Sequence, residues 1–186
     1  MVNRHKEVIA EVMDSRNVDR TLGRLAHEIV ERNRGVENLV FVGLQTRGVA
    51  LTERLAEKIQ QIEDLEVTSG SLDITLYRDD VSTKNEALTV QQTDIPFSID
   101  EKVVVMVDDV LYTGRTVRAA LDALMDFGRP ERIELAVMID RGHRELPIKA
   151  DYIGKTLLTS LGEEVAVKLK NDEDVEEDGV YLVRAN

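Results

Sequence analysis

The chain has no cysteine, no tryptophan, three prolines, three histidines and seven aromatic residues in 186. Without cysteine there is no disulfide framework, thiolate nucleophile or cysteine-bound zinc. His5, His27 and His143 are dispersed, which argues against a histidine-rich metal centre. Long apolar runs are missing too. The 42% hydrophobic content lies in short blocks, none near the roughly 18 to 20 residues that span a bilayer. The polar start, Met1 to Lys6, leads into no apolar stretch with a small-residue cleavage site. No secretory signal and no membrane association are therefore expected, and the expected location is cytoplasmic. Positive charge is scarce: 24 Lys and Arg against 36 Asp and Glu give −12, unlike a generic nucleic-acid binder. Eight acids against three bases between Gly162 and Asn186 leave that stretch at −5. This acidic C-terminal segment, about residues 162–186, reads as solvated surface.

Length predicts one domain, residues 1–186, able to bury its own core. From Asp19, read as N-cap, Leu22, Leu25, Ala26, Ile29 and Val30 fall on one helical stripe that Gly35 stops. Leu39 to Gly43 is a short apolar strand, and Gly48 to Gln61 follows with helical spacing. Glu66 to Tyr77 suggests another strand. Residues 78–96 are polar and aperiodic and read as a long flexible loop. Lys102 to Val107 is a continuous apolar run of the kind buried on both sheet faces. Arg115 to Phe127 reads as helix, Ile133 to Ile139 as a further buried strand, and Val165 to Leu169 and Val180 to Val183 as short strands. Strands alternating with helices predict an α/β fold, with a mostly parallel central sheet flanked by helices.

The stretch Val103-Val-Val-Met-Val-Asp-Asp-Val-Leu-Tyr-Thr-Gly-Arg-Thr116 carries the most chemistry. A buried strand ends in two carboxylates, passes a Thr-Gly turn and enters a helix. In open α/β sheets ligands bind beyond the carboxyl ends of the strands. Thr113, Gly114, Arg115 and Thr116 can aim backbone N–H groups and hydroxyls at a phosphate, helped by the helix N-terminus. Asp108 and Asp109 above them could accept hydrogen bonds from a vicinal diol, and phosphate plus diol describes a ribose 5-phosphate. Helix capping or magnesium binding remain the other uses of the pair. No G-x-x-x-x-G-K-[ST] sequence is present.

This stretch resembles the phosphoribosyl-pyrophosphate (PRPP) signature of type I phosphoribosyltransferases. Val42-Gly-Leu-Gln-Thr-Arg-Gly48, Asp73-Ile-Thr-Leu-Tyr-Arg-Asp-Asp80, Asp140-Arg-Gly-His-Arg-Glu-Leu-Pro147 and Ala150-Asp-Tyr-Ile-Gly-Lys155 resemble, in order and spacing, one subfamily. Its members are bifunctional pyrimidine operon regulators with uracil phosphoribosyltransferase activity. The resemblance runs from about Arg20 to Thr159. It implies a type I fold with a small hood region and a flexible loop, and catalysis by Asp108, Asp109 and Arg47. It further implies a substrate site of Thr46, Arg47, Arg78, Asp79, Val110, Leu111, Tyr112, Thr113, Gly114, Arg115 and Thr116. Backbone groups around Ile139, Asp140 and Arg141 would read uracil. Mg2+ would arrive with PRPP, bound mainly through substrate oxygens, with no dedicated metal cage. Departing pyrophosphate leaves positive charge on the ribose, which favours a site that closes, and Arg78 and Asp79 head the candidate lid.

Members of this subfamily also bind a leader mRNA hairpin under control of uridine nucleotides, UMP and UTP. The implied RNA residues are Arg24, His27, Arg34, Arg141, Arg144 and Lys155, with Arg20 and Lys149 beside them. Locally the charge suits this: Arg20 to Arg34 has four bases against two acids, as does Arg141 to Lys155. Gly23 departs from the hydroxyl residue expected there. The resemblance also implies a homodimer that assembles further into a tetramer or hexamer. Two other readings stay open: an RNA-binding regulator with little catalysis, and a purine phosphoribosyltransferase.

Overall fold

A computed structural model describes residues 6–77, 92–160, 162–170, 172 and 175–185. Its centre is a parallel sheet of five strands, β2 (Leu39–Leu44), β3 (Thr68–Leu72), β4 (Val103–Leu111), β5 (Arg132–Asp140) and β6 (Tyr152–Thr156), in the order β3-β2-β4-β5-β6. β2 and the first six residues of β4 are buried throughout; their apolar runs, which in β4 end at Val107 just before buried Asp108, suit strands covered on both faces. Helices α1 (Ser15–Asn33) and α2 (Arg47–Glu63) cover one face. Their buried residues, Leu22, Leu25, Ile29, Leu51, Leu55 and Ile59, pack with Phe41, Val105 and Met138. Helix α3 (Arg115–Leu124) covers the other face, through Val117, Ala120 and Leu124 packed with Val40, Met106 and Leu135.

A smaller antiparallel sheet joins the two ends of the chain: β1 (Lys6–Met13), β8 (Gly179–Ala185) and β7 (Glu163–Lys168), in that order. β1 was not expected from sequence. Its first six residues are exposed, so it carries no burial alternation, and two register irregularities interrupt its ladder with β8. β6 was likewise not read as a strand.

Several boundaries differ from expectation. α1 starts at Ser15, because the Asp14 carboxylate accepts from the Asn17 N–H at 2.7 Å and caps it. Asp19 instead pairs with Lys58 at 2.6 Å. At the other end Arg34 takes the left-handed cap conformation and the Gly35 N–H closes on Val30 O. The 66–77 region contains only the short β3, followed by a 3-10 turn at Thr75–Tyr77. α3 gives way at Met125–Phe127 to another 3-10 turn. Of the expected 78–96 loop, residues 78–91, with Arg78 and Asp79, lie outside the described residues. Its end is tied down, since Asp94 and Ser71 exchange backbone hydrogen bonds of 2.8 and 2.9 Å.

Candidate active site

The strand order reverses direction between β2 and β4: β3 lies beyond β2 on one side, β5 and β6 beyond β4 on the other. The two loops leaving these strands therefore diverge and open a crevice at their carboxyl ends. Both predicted catalytic segments flank that crevice. Arg47 opens α2 just after β2, and Asp108 and Asp109 sit near the end of β4. The Arg47 Nη1 to Asp109 Oδ2 distance is 3.8 Å.

Their closeness depends on glycine. A Cβ at Gly48 would stand 2.3 Å from Val107 O and 3.5 Å from Asp108 Cα, and one at Gly43 2.6 Å from Val49 Cα. The Arg47 loop can thus lie directly on the strand that delivers the carboxylates. Thr46 and Arg47 are exposed, Thr46 makes no side-chain cap to α2, and the Gln45–Thr46 peptide is cis.

Asp108 is buried and its Oδ1 accepts from the Asp109 N–H at 2.9 Å, while Asp109 Oδ1 accepts from the Val110 N–H at 2.9 Å. Burial pushes the Asp109 carboxyl above the ordinary aspartate range, and nearby Arg47 only partly offsets it. A carboxylate so placed gains from any positive or hydrogen-bond-donating ligand.

Below the pair, Asp108, Val110, Leu111, Tyr112, Thr113, Gly114, Arg115 and Thr116 line a cavity of about 320 Å3 that reaches Glu145. Gly114, at φ +92°, makes the turn into α3, and no side chain caps that helix. The first turn of α3 therefore lines a cavity with room for a phosphate, with Thr113 and Thr116 beside it. Thr113 Oγ1 also accepts from the Arg115 N–H at 3.3 Å.

The segment of Ile139, Asp140 and Arg141, expected to read uracil, is bonded within the chain. The Arg141 N–H donates to Leu111 O, and Asp140 O accepts from the Leu157 N–H. Ile139 is paired within the sheet to Val110 and Lys155. The Arg141 guanidinium stacks 3.8 Å from the Tyr112 ring centroid and donates to Thr159 Oγ1 and Glu163 O. Arg144 is turned inward: it donates to the carbonyls of Ile148, Tyr112 and Gly142 and, at 2.6 Å, to Asp140 Oδ1.

A basic cleft lies elsewhere. Arg20, Arg24 and Lys155 line a cavity of about 400 Å3 with Asn17, Thr21, Val12, Met13 and Gly154. Close packing makes it: a Cβ at Gly154 would meet Met138 O at 2.3 Å and Thr21 Cγ2 at 2.8 Å, so α1 rests directly on β6. Arg24 donates to Ile153 O and Gly154 O, and Lys155 to Val12 O. His27 is exposed on the same helix. Arg34 is exposed at the far end of α1, about 15 Å beyond Arg24 at 1.5 Å per residue.

Sequence reasoning missed the acidic C-terminal segment's part here. Asp172 accepts from Arg47 Nε at 3.0 Å, and Asp178 takes Arg54 in two hydrogen bonds of 2.5 and 3.0 Å. These acids, expected to be solvated, clamp the loop and helix after β2.

Carboxylates near the end of a central strand, a helix N-terminus beside them and an arginine across a switch point make a polar crevice of the kind that binds ligands in open α/β sheets. Residues 9–171 match the phosphoribosyl transferase domain family. The bifunctional protein PyrR of Pelotomaculum thermopropionicum is 58% identical over 176 residues, covering 95% of this chain and 97% of that protein. The protein of the same name from Deinococcus radiodurans is 55% identical over 174 residues, covering 94% and 92%. The chain belongs to the phosphoribosyl transferase family and, within it, to the bifunctional PyrR proteins; it is a phosphoribosyltransferase. The fold agrees. A hypoxanthine phosphoribosyltransferase from Staphylococcus aureus superposes with a TM-score of 0.73 at 17% identity, covering 95% and 92%. One from Trypanosoma cruzi gives 0.74 at 16%, covering 95% and 96%.

Proposed function

We propose that the protein transfers ribose 5-phosphate from PRPP to a ring nitrogen of uracil, giving UMP and pyrophosphate. The observation that carries this reading is the meeting of Asp108 and Asp109 with Arg47 above the Thr113–Thr116 turn, 3.8 Å separating Arg47 from Asp109. The α3 N-terminus with Thr113 and Thr116 holds the 5-phosphate, and Asp108 and Asp109 accept from the ribose hydroxyls. Arg47 and the Thr46 backbone hold the pyrophosphate. The C1–O bond to pyrophosphate breaks as the C1–N bond forms, and the nitrogen's proton leaves to solvent. Most of the barrier is lowered by positioning and by charge fixed in advance around the cationic ribose.

Among the described residues no cluster of three or more His, Asp or Glu is arranged to hold a metal. The hard carboxylate oxygens of Asp108 and Asp109 suit a Mg2+ ion that takes most of its ligands from substrate and water. When bound, it neutralises charge on the leaving pyrophosphate. Arg141 stacked on Tyr112 forms the wall toward the base, and the paired backbone of 139–141 keeps that wall rigid.

The same reading includes regulation: a pyrimidine-operon leader mRNA hairpin binds in a uridine-nucleotide-dependent way, and the chains associate at least as homodimers. Support for an RNA face comes from the cleft of Arg20, Arg24 and Lys155 with His27 beside it, since clustered cations bind phosphates despite a negative total. Arg141 and Arg144 shape the neighbouring loop from inside. Among the described residues no helix is long and apolar enough to cross a membrane.

The experiment supplies PRPP and Mg2+ with uracil, hypoxanthine or guanine and follows nucleotide formation. UMP alone is expected; a purine nucleotide formed faster would overturn the substrate. In parallel, titration of a leader hairpin against the parent and the Arg24→Ala, Lys155→Ala variant tests the RNA face. The double variant is expected to bind at least tenfold more weakly with a shallower salt slope; equal binding would remove the cleft from the interface.

A further inference from the structure

Two carboxylates of the C-terminal segment are laid along α2, at residues seven apart and therefore on one side of the helix. Asp178 is the firm one. It takes both ends of the Arg54 guanidinium and also accepts from the Lys170 N–H at 2.8 Å. Asp172, six residues earlier in the same segment, is fixed by the Leu169 N–H at 3.3 Å and reaches Arg47 Nε at 3.0 Å. Arg47 is the half-exposed arginine of the crevice, 43% accessible, and its Nη1 is already 3.8 Å from Asp109. An arginine that must grip pyrophosphate is thus faced by carboxylates on two sides, one from the catalytic strand and one from the far end of the chain. Guanidinium donors form a fixed planar fork. A donor held by Asp172 is not offered to a phosphate oxygen, and the Asp172 charge repels an incoming polyanion.

We infer that Asp172 is an internal counter-ion of Arg47 that competes with the pyrophosphate group, so that the C-terminal segment weakens the hold on anionic substrate and hastens release of pyrophosphate. This rests on the reading that Arg47 meets pyrophosphate. Substrate binding exchanges one Arg47 partner for another, and Asp178 on Arg54 keeps the segment docked while Asp172 lets go. Asp172 is then an affinity-determining residue for the leaving group, without contact to the reacting carbon.

The test measures binding of magnesium pyrophosphate, and of PRPP with Mg2+, to the parent chain and to Asp172→Asn, Asp172→Ser and Arg47→Gln by calorimetry, with thermal melting alongside. Both Asp172 variants keep an oxygen acceptor for the Leu169 N–H, so either suffices if the other folds poorly. At low salt an Asp172 variant is expected to bind both ligands about two- to fivefold more tightly, the range of a partly exposed ion pair. The advantage should shrink at about 0.5 M salt, where the screening length falls to about 4 Å. Arg47→Gln should bind both more weakly. Equal or weaker binding by the Asp172 variants, with Arg47→Gln impaired, overturns the counter-ion inference and leaves the pyrophosphate role of Arg47 standing. Tightening that persists undiminished at high salt also overturns it, because the cause would then not be charge. If Arg47→Gln binds like the parent, the reading of Arg47 itself fails, and the inference with it.

Discussion

Gly48→Ala should cripple the enzyme through a single methyl group. The added Cβ would lie 2.3 Å from Val107 O, where real Cβ atoms stay beyond 3.0 Å. The loop carrying Arg47 and the strand carrying Asp108 must therefore separate by at least 3.0 − 2.3 = 0.7 Å. Both partners are backbone in close-packed surroundings, so neither can swing away as a side chain would. Overpacking of this kind costs about 1–3 kcal/mol of stability. Displacing catalytic groups by about 1 Å costs up to ~100-fold in rate, so kcat/KM for PRPP should fall about 10- to 100-fold, more than the lost stability explains at 25 °C. Gly48 has no left-handed φ, so the effect is steric and not one of backbone strain. The assay is initial-rate UMP formation with PRPP varied, together with thermal melting. A Gly48→Ala enzyme with parental kcat/KM would refute the claim that contact between the loop and β4 sets the site's geometry.

Gly23 sits inside α1, where an added Cβ meets nothing within 4 Å; Gly23→Ala should stabilise by about 1 kcal/mol, read as a melting rise of about 2–4 °C, and no rise would contradict it. Because burial raises the Asp109 carboxyl, it protonates at a higher pH than an ordinary aspartate. The acid limb of kcat/KM should thus be displaced upward, and Asp109→Asn should remove that limb along with most activity. Asp178 and Glu134 lie on the other side of the sign: burial would raise both, but Arg54 and the Lys170 N–H hold Asp178 low, and Asn33, Tyr152 and Arg132 hold Glu134 low. Their stability is present above the ordinary carboxylate range and is lost as pH falls through the depressed folded values. Asp178→Asn and Glu134→Gln should each lower the melting temperature at pH 7 and flatten its dependence below about pH 4; unchanged profiles would exclude these pairs as the source of acid sensitivity.

The central elements were legible because each is dictated by local pattern. β2, the first five residues of β4 and the Leu135 to Ile139 stretch of β5 are unbroken apolar runs, and the β4 signature puts carboxylates, turn and helix N-terminus in consecutive residues. Elements whose reason lies far off in sequence were not legible. β1 has its partner at the other end of the chain, Lys6 opposite Ala185, and shows solvent six residues in a row. The acids of the C-terminal segment looked solvated because their arginines are more than a hundred residues away, 124 in the case of Arg54 and Asp178. Arg141 and Arg144 illustrate the reverse limit: a basic stretch reads as surface charge, yet the fold turns Arg144 onto four carbonyls and an aspartate. Arg24 and Lys155, grouped by charge in the sequence, line one cleft, and their meeting depends on Gly154 letting α1 settle on β6.

Calorimetric titration of PRPP with Mg2+ into the parent and into the Asp108→Asn, Asp109→Asn double variant bears most directly on the sugar site. Hydrogen bonds to a charged acceptor contribute about 1.5–3 kcal/mol each, against about 0.5–1.5 for the neutral acceptor that asparagine keeps, so the double exchange should weaken binding by about 30- to 150-fold, while thermal melting still reports a folded chain. PRPP binding of equal strength in both proteins would place the ribose elsewhere and contradict the assignment of the β4 carboxylates.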